Sequence, residues 1–186
     1  MNKANYLTQI IAELAIYAEK VSQLELETFC GHICAASRVF VAGAGRSGYA
    51  ARAFSNRLMH LGFSVFFVGD PTTPAIKSDD LIIICSGSGM TGSLVNMAER
   101  ASRIGAKIAT VTIHPDARIG SLASSIITVP GSTPKSDLEN SAASFQPMGN
   151  LFEQLAWLIF DTVVGMLMHK LGISADEMFS RHANLE

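Results

Sequence analysis

The chain has 186 residues, 48% of them hydrophobic and 16% charged, with a net charge of −2 and a mean hydropathy of +0.29. That length suits one domain with a substantial core, and the near-neutral balance offers no footprint for nucleic acid or an anionic membrane. Three cysteines, an odd number, argue against a disulfide framework and suit a cytoplasmic setting.

Residues 5–31 read as one helix, with Leu7, Ile10, Ile11, Leu14, Ile16 and Val21 near a period of about 3.6. Glu13 and Glu19 fall where a secretory leader would be basic and then apolar. Cys30, His32 and Cys34 are too few for a tetrahedral metal site and are explained by buried helical thiols; no metal is expected. Residues 38–42 form a short apolar strand leading into Gly43-Ala44-Gly45-Arg46-Ser47-Gly48. A helix over 46–60 stops at Gly62. Residues 64–68 make a second strand, ended by Gly69-Asp70-Pro71-Thr72-Thr73-Pro74.

The wholly apolar residues 81–85 suit a central parallel strand covered on both faces. Ser86-Gly87-Ser88-Gly89-Met90-Thr91 follows, then a helix over 91–104 ending near Gly105. Residues 107–113 and 125–129 supply two more strands. Residues 131–145 are polar and irregular, the mark of a lid or an intersubunit element, with Lys135 a minor candidate for substrate contact. A long helix over 150–169 follows, and a short one over 173–181. The apolar stretch 151–171 holds Glu153, Gln154, Asp161, His169 and Lys170, which favours a buried helix over a bilayer span. Alternating strands and helices predict a single doubly wound α/β domain: three layers, α/β/α, around a five-stranded parallel sheet, flavodoxin- or Rossmann-like. Its ligand belongs at the carboxyl ends of the strands, where both glycine loops lie.

Each loop joins a strand to a helix start, where glycines admit close approach and free N–H groups attract an anion. Ser47, Ser86, Ser88 and Thr91 can complete such a cradle, or simply cap their helices. Two cradles side by side suggest a sugar phosphate, one loop holding the phosphate and the other the hydroxyl chain. Gly43, Gly45 and Gly48 also match the dinucleotide fingerprint, with Asp70 about twenty residues on. The chain is short for a substrate domain, however, and a second anion cradle is more than a dinucleotide requires.

These motifs together resemble the sugar isomerase (SIS) domain family and, within it, the 6-phospho-3-hexuloisomerases. The residues that carry the match are the two glycine loops, Arg57-Leu58-Met59-His60-Leu61-Gly62, Pro71-Thr72-Thr73-Pro74, Gln146-Pro147-Met148-Gly149, Leu151-Phe152-Glu153-Gln154 and the tail Arg181-His182-Ala183-Asn184-Leu185-Glu186. The match runs from about residue 38 onward. Met90 departs from the pattern, since relatives often place Glu there.

The resemblance implies interconversion of 3-hexulose 6-phosphate and fructose 6-phosphate, a step of formaldehyde fixation through ribulose monophosphate, with no cofactor. It also implies a homotetramer with sites at subunit contacts, built in part from the first helix and the tail (about 173–186), and a functional pairing with 3-hexulose-6-phosphate synthase. Moving the ketone from C3 to C2 passes through a cis-enediolate, for which one shuttling base suffices. Glu153 matches the family's proton acceptor, although a first-turn carboxylate also complements a helix dipole. His60 and His182 are candidates to move protons between O2 and O3 or to open a cyclic sugar; the alternatives are a helix-terminal and a solvated imidazole. Gly45, Arg46, Ser47, Ser86, Gly87, Ser88, Gly89, Met90 and Thr91 form the expected substrate cradle, with Arg46 equally suited to an ion pair across a subunit boundary. A non-catalytic sugar-phosphate sensor, or an isomerase of another sugar phosphate, stays open at this point. A sensor could lose both Glu153 and His182 without penalty.

Overall fold

The computed structural model describes residues 5–131 and 144–185. Lys135, Glu186 and most of the polar stretch 131–145 lie outside the described residues.

The strands are β1 (Val39–Gly43), β2 (Val65–Phe67), β3 (Leu81–Cys85), β4 (Lys107–Thr112) and β5 (Ser125–Thr128). They form one parallel sheet in the order β2-β1-β3-β4-β5. Side chains alternate between the faces as strand geometry requires. Val39, Val41, Leu81, Ile83 and Cys85 join one buried cluster, and Phe40, Ala42, Ile82 and Ile84 join the other.

The helices are α1 (Asn5–Ala18), α2 (Gln23–Ala35), α3 (Gly45–His60), α4 (Gly92–Ile104), α5 (Asn150–Leu171) and α6 (Ala175–Ser180). The first face is covered by α2, α3 and α5, and the second by α4 with a 3₁₀ turn at Gly120–Leu122. Phe54 of α3 stacks on Phe160 of α5 at 4.3 Å, a contact worth about 1 kcal/mol beyond the area it buries. The apolar stretch on α5 is thereby explained: Leu155, Ile159, Val163 and Leu167 are core residues.

The expected single helix over 5–31 is two helices. Ser22 caps α2 by accepting the Glu25 N–H, and the chain turns between Glu19 and Ser22. The Glu25 carboxylate then reaches β5, accepting from the Thr128 N–H at 2.7 Å and the Thr128 hydroxyl at 3.1 Å. It thus satisfies a donor on an edge strand that would otherwise be open to pairing.

At the amino edge of the sheet, Arg38 forks onto Asp80, with Nε to Oδ1 at 2.9 Å and Nη2 to Oδ2 at 2.6 Å. The Lys77 N–H adds a third donor to the same carboxylate. The pair ties the starts of β1 and β3 together. Since these strands run in register from Val39↔Leu81 to Gly43↔Cys85, it also fixes how their far ends meet.

Candidate active site

Because Gly43 lies beside Cys85 in the ladder, the loops after β1 and β3 emerge side by side from the carboxyl edge. The first turns directly into α3, with Gly45 at φ +60°. Gly43 and Gly48 touch where strand and helix cross: a Cβ on Gly48 would stand 2.9 Å from the Gly43 carbonyl oxygen. These two glycines therefore serve close packing of strand against helix.

The second loop is held from behind. The Gly87 carbonyl accepts from the Ile113 N–H and the Thr112 hydroxyl, and the Ser86 N–H donates to Val111. Gly89, at φ +61°, sits close against Ala117 and accepts from the Ile119 N–H.

A third element completes the site. Gln146 is buried and its amide donates to Glu13 of α1 at 2.9 Å. Pro147 and Met148 then turn the chain, Met148 in the left-handed region at φ +58°, a conformation uncommon outside glycine. α5 begins at once, with Glu153 in its first turn. A cavity of about 400 Å³ results, in which Gly45, Arg46 and Ser47 face Ser86, Gly87, Ser88 and Thr91, with Asn150, Phe152 and Glu153 forming the third wall.

Neither α3 nor α4 has a side-chain cap: Ser47 donates to the Ala44 carbonyl, and Thr91 makes no capping bond. Their first-turn N–H groups are thus left to an anion in the cavity. The Ser86 hydroxyl is buried there and meets no partner among the described residues. Cys85 forms the floor; burial, followed by the nearby Glu153 carboxylate, pushes its thiol up to about 12, so it stays protonated. Glu153 is one-fifth exposed and accepts from Arg46 Nε at 2.5 Å. The Arg46 ion pair thus lies within the chain.

Other expected residues lie elsewhere. The Met90 N–H is engaged by the Ser88 hydroxyl, the Met90 sulfur accepts from the Arg118 N–H, and neither Gly89 nor Met90 lines the cavity. His60 ends α3, and at about 1.5 Å per residue it stands roughly 22 Å along the helix from Gly45. His182, from the tail, stacks on it at 5.3 Å. Burial first, then Arg57 and His182, hold the His60 imidazole below its ordinary pKa. Asp70 is tied to Arg52 at 2.9 Å, and that guanidinium lies 4.0 Å over the Phe67 ring. The acid a dinucleotide would need is therefore already engaged. Among the described residues no group of three His, Cys, Asp or Glu stands ready to hold a metal ion.

The importance of Gln146 was legible only as part of a motif, because its contact with Glu13 spans 133 residues. The orphaned Ser86 hydroxyl could be found only once the cavity was known.

The SIS domain family matches residues 32–158. The chain is 43% identical to the 3-hexulose-6-phosphate isomerase of Bacillus subtilis (strain 168) over the full length of both. It is 41% identical to the enzyme of that name from Mycobacterium gastri, covering 98% of this chain and 90% of the other. A solved protein from Methanococcus jannaschii, whose structure infers a molecular function of 3-hexulose-6-phosphate isomerase, superposes with a TM-score of 0.84 at 31% identity, covering 98% of this chain and 99% of the other.

Proposed function

This chain belongs to the SIS domain family, and we propose that it is a 6-phospho-3-hexuloisomerase, interconverting D-arabino-3-hexulose 6-phosphate and D-fructose 6-phosphate. The observation that carries this reading is the meeting, in one cavity, of two uncapped helix starts with a carboxylate. The helix starts and the serine hydroxyls bind the phosphate and the hydroxyl chain. Glu153 removes the proton from C2, the charge spreads over O2 and O3 in a cis-enediolate, and the same carboxylic acid returns a proton to C3. The proton lost from O2 is delivered to O3, a transfer a neutral imidazole can mediate. Arg46 steadies Glu153 and is placed to meet substrate oxygens.

We assign the imidazole role to the pair His60 and His182, in which the exposed His182 ring faces outward and the buried His60 ring stacks behind it. They stand far from the cavity of their own chain, so they serve that of another subunit in a homotetramer. Two features support the assembly. Tyr6, Leu7, Ile11 and Ile16 of α1 are each more than half exposed. A groove of about 500 Å³, with Leu7, Ile11, Leu14, Tyr49, Trp157 and Leu158 among its lining, shares Arg46 and Glu153 with the cavity, so an occupant of the groove would also wall the site. With metabolic enzymes as relatives, the protein works in the cytoplasm and follows 3-hexulose-6-phosphate synthase in sequence.

The test is isomerisation of 3-hexulose 6-phosphate by the purified protein and by Glu153→Gln, with fructose 6-phosphate read through a coupled assay, with and without chelator. Turnover that survives chelator and falls roughly 10³-fold in the variant is expected for a lost general base. An inactive wild type that still binds sugar phosphates would overturn the reading in favour of a sensor.

A further inference from the structure

The C-terminal tail carries a cationic side chain that the reaction outlined above leaves unused. α6 opens on a capping box at Ser174 and Glu177, and Met178 anchors it in the core. The residues that follow α6 are exposed, yet the first two of them, Arg181 and His182, contact the end of α3. Arg181 Nη1 donates to the His60 carbonyl at 3.0 Å and, at 3.4 Å, to the Glu177 carbonyl at its own helix. Its guanidinium lies along Gly62, where a Cβ would be 3.5 Å from Cζ, and Gly62 is at φ +92°. The acceptor is significant: His60 ends α3, and its carbonyl is one of the last-turn groups that a helix leaves unsatisfied and negatively polarised. Among the described residues, this is the hydrogen bond that joins the tail to α3.

We propose that Arg181 is a positioning residue for the isomerisation, strapping the tail to the end of α3 so that the His182 and His60 rings are presented as one stacked unit. This rests on the catalytic reading of the two histidines. The next residue along the chain shows the result of the strap. The His182 N–H donates to the Phe179 carbonyl at 2.9 Å, and its ring lies 5.3 Å from His60 at 18° and 5.9 Å from Phe179 at 25°. His182 Nδ1 stands 3.0 Å from the Ala183 carbonyl; with Nδ1 as donor, Nε2 is left as the proton-accepting atom. Without the strap, Met178 still docks α6, and the turn that carries the imidazole is held by backbone hydrogen bonds and ring stacking alone, with no side-chain tie to α3. Lys keeps the charge and enough donors for both carbonyls, but its flexible ammonium lacks the flat guanidinium that lies along Gly62.

The experiment compares wild type, Arg181→Met, Arg181→Lys, His182→Gln and the Arg181→Met/His182→Gln double variant for kcat and KM with 3-hexulose 6-phosphate. Their melting temperatures and the His182 ring resonances of histidine-labelled protein are recorded alongside. A misaimed imidazole predicts that kcat falls roughly 10- to 100-fold in Arg181→Met with KM changed less than about threefold. Arg181→Lys recovers part of that loss, and the double variant is no slower than His182→Gln alone. The His182 resonances lose the shift imposed by the stacked rings. Wild-type kcat in Arg181→Met, unmoved His182 resonances, or losses that multiply in the double variant would overturn the strap. If Arg181→Met fails to fold, Arg181→Lys decides on the same readouts, an undiminished kcat with unmoved resonances counting against the proposal. Full activity in His182→Gln would instead overturn the histidine reading, while the resonance shift would still report the strap.

Discussion

Arg46 and Glu153 are 107 residues apart in sequence, yet the guanidinium Nε lies 2.5 Å from the carboxylate. The contact joins the start of α3 to the start of α5, so the first glycine loop and the proposed base are fixed to one another before substrate arrives. Arg46 is two-thirds exposed, so the pair contributes little to folding, and the role proposed for it is in catalysis.

Arg46→Gln is accordingly expected to lower kcat/KM by roughly 10- to 100-fold, the worth of one charge-assisted hydrogen bond, while changing stability by less than about 1 kcal/mol. Steady-state kinetics set beside a thermal melt check the split.

Ser86→Ala removes a buried hydroxyl that has no partner among the described residues. No protein hydrogen bond is lost, so the melting temperature should hold or rise slightly. The KM for the sugar phosphate should increase roughly 5- to 10-fold, because the hydroxyl finds its partner in the ligand.

Gly48→Ala forces a methyl group to within 3.0 Å of two Gly43 backbone atoms. Neither strand nor helix can yield cheaply, and a loss of about 1–3 kcal/mol in denaturant unfolding is expected. KM should rise as well, since the first loop shifts with the helix start. At Gly45, no such crowding exists and the positive φ alone restricts substitution.

Asp80 gives a prediction in pH. Burial works against its ionisation, but the Arg38 fork, the Lys77 N–H and the two nearby positive charges outweigh burial and hold its pKa below 3.8. A carboxylate whose folded pKa is depressed contributes stability that is fully present above its unfolded pKa and is lost as pH falls through the folded one. Wild-type stability should therefore decline below about pH 4, and Asp80→Asn should lack that part of the slope. At pH 7 the variant should also be less stable than wild type, because the Arg38 fork and the Lys77 N–H lose a charged acceptor. Urea unfolding across that pH range measures both.

The sheet and its helices were legible because their signals are local. Residues 81–85 are wholly apolar, and Gly62 and Gly105 stop their helices in left-handed conformations. The break in the first helix was legible too. Ser22 followed by Glu25 is a capping signature, but the apolar period running through Val21 masked it. The two glycine loops could be placed in advance at one edge of the sheet, since strand-to-helix loops of a parallel sheet gather there, although Gly89 and Met90 do not line the cavity; Glu153 is singled out by the family resemblance and not by topology. The His60–His182 stack, the reach of Arg46 to Glu153 and the bond from Gln146 to Glu13 are different. Each joins segments more than a hundred residues apart, and no local period or spacing encodes which pair will touch.

The two uncapped helix starts bear on how the protein responds to acidity. Peptide N–H groups neither gain nor lose a proton across the biological range. The attraction these groups exert on a phosphate ester is thus constant, and what varies is the ester, whose second ionisation falls near pH 6. Affinity should rise as the ester becomes a dianion and then level off, so that any optimum above that point reports proton transfer at carbon and oxygen rather than capture of the substrate.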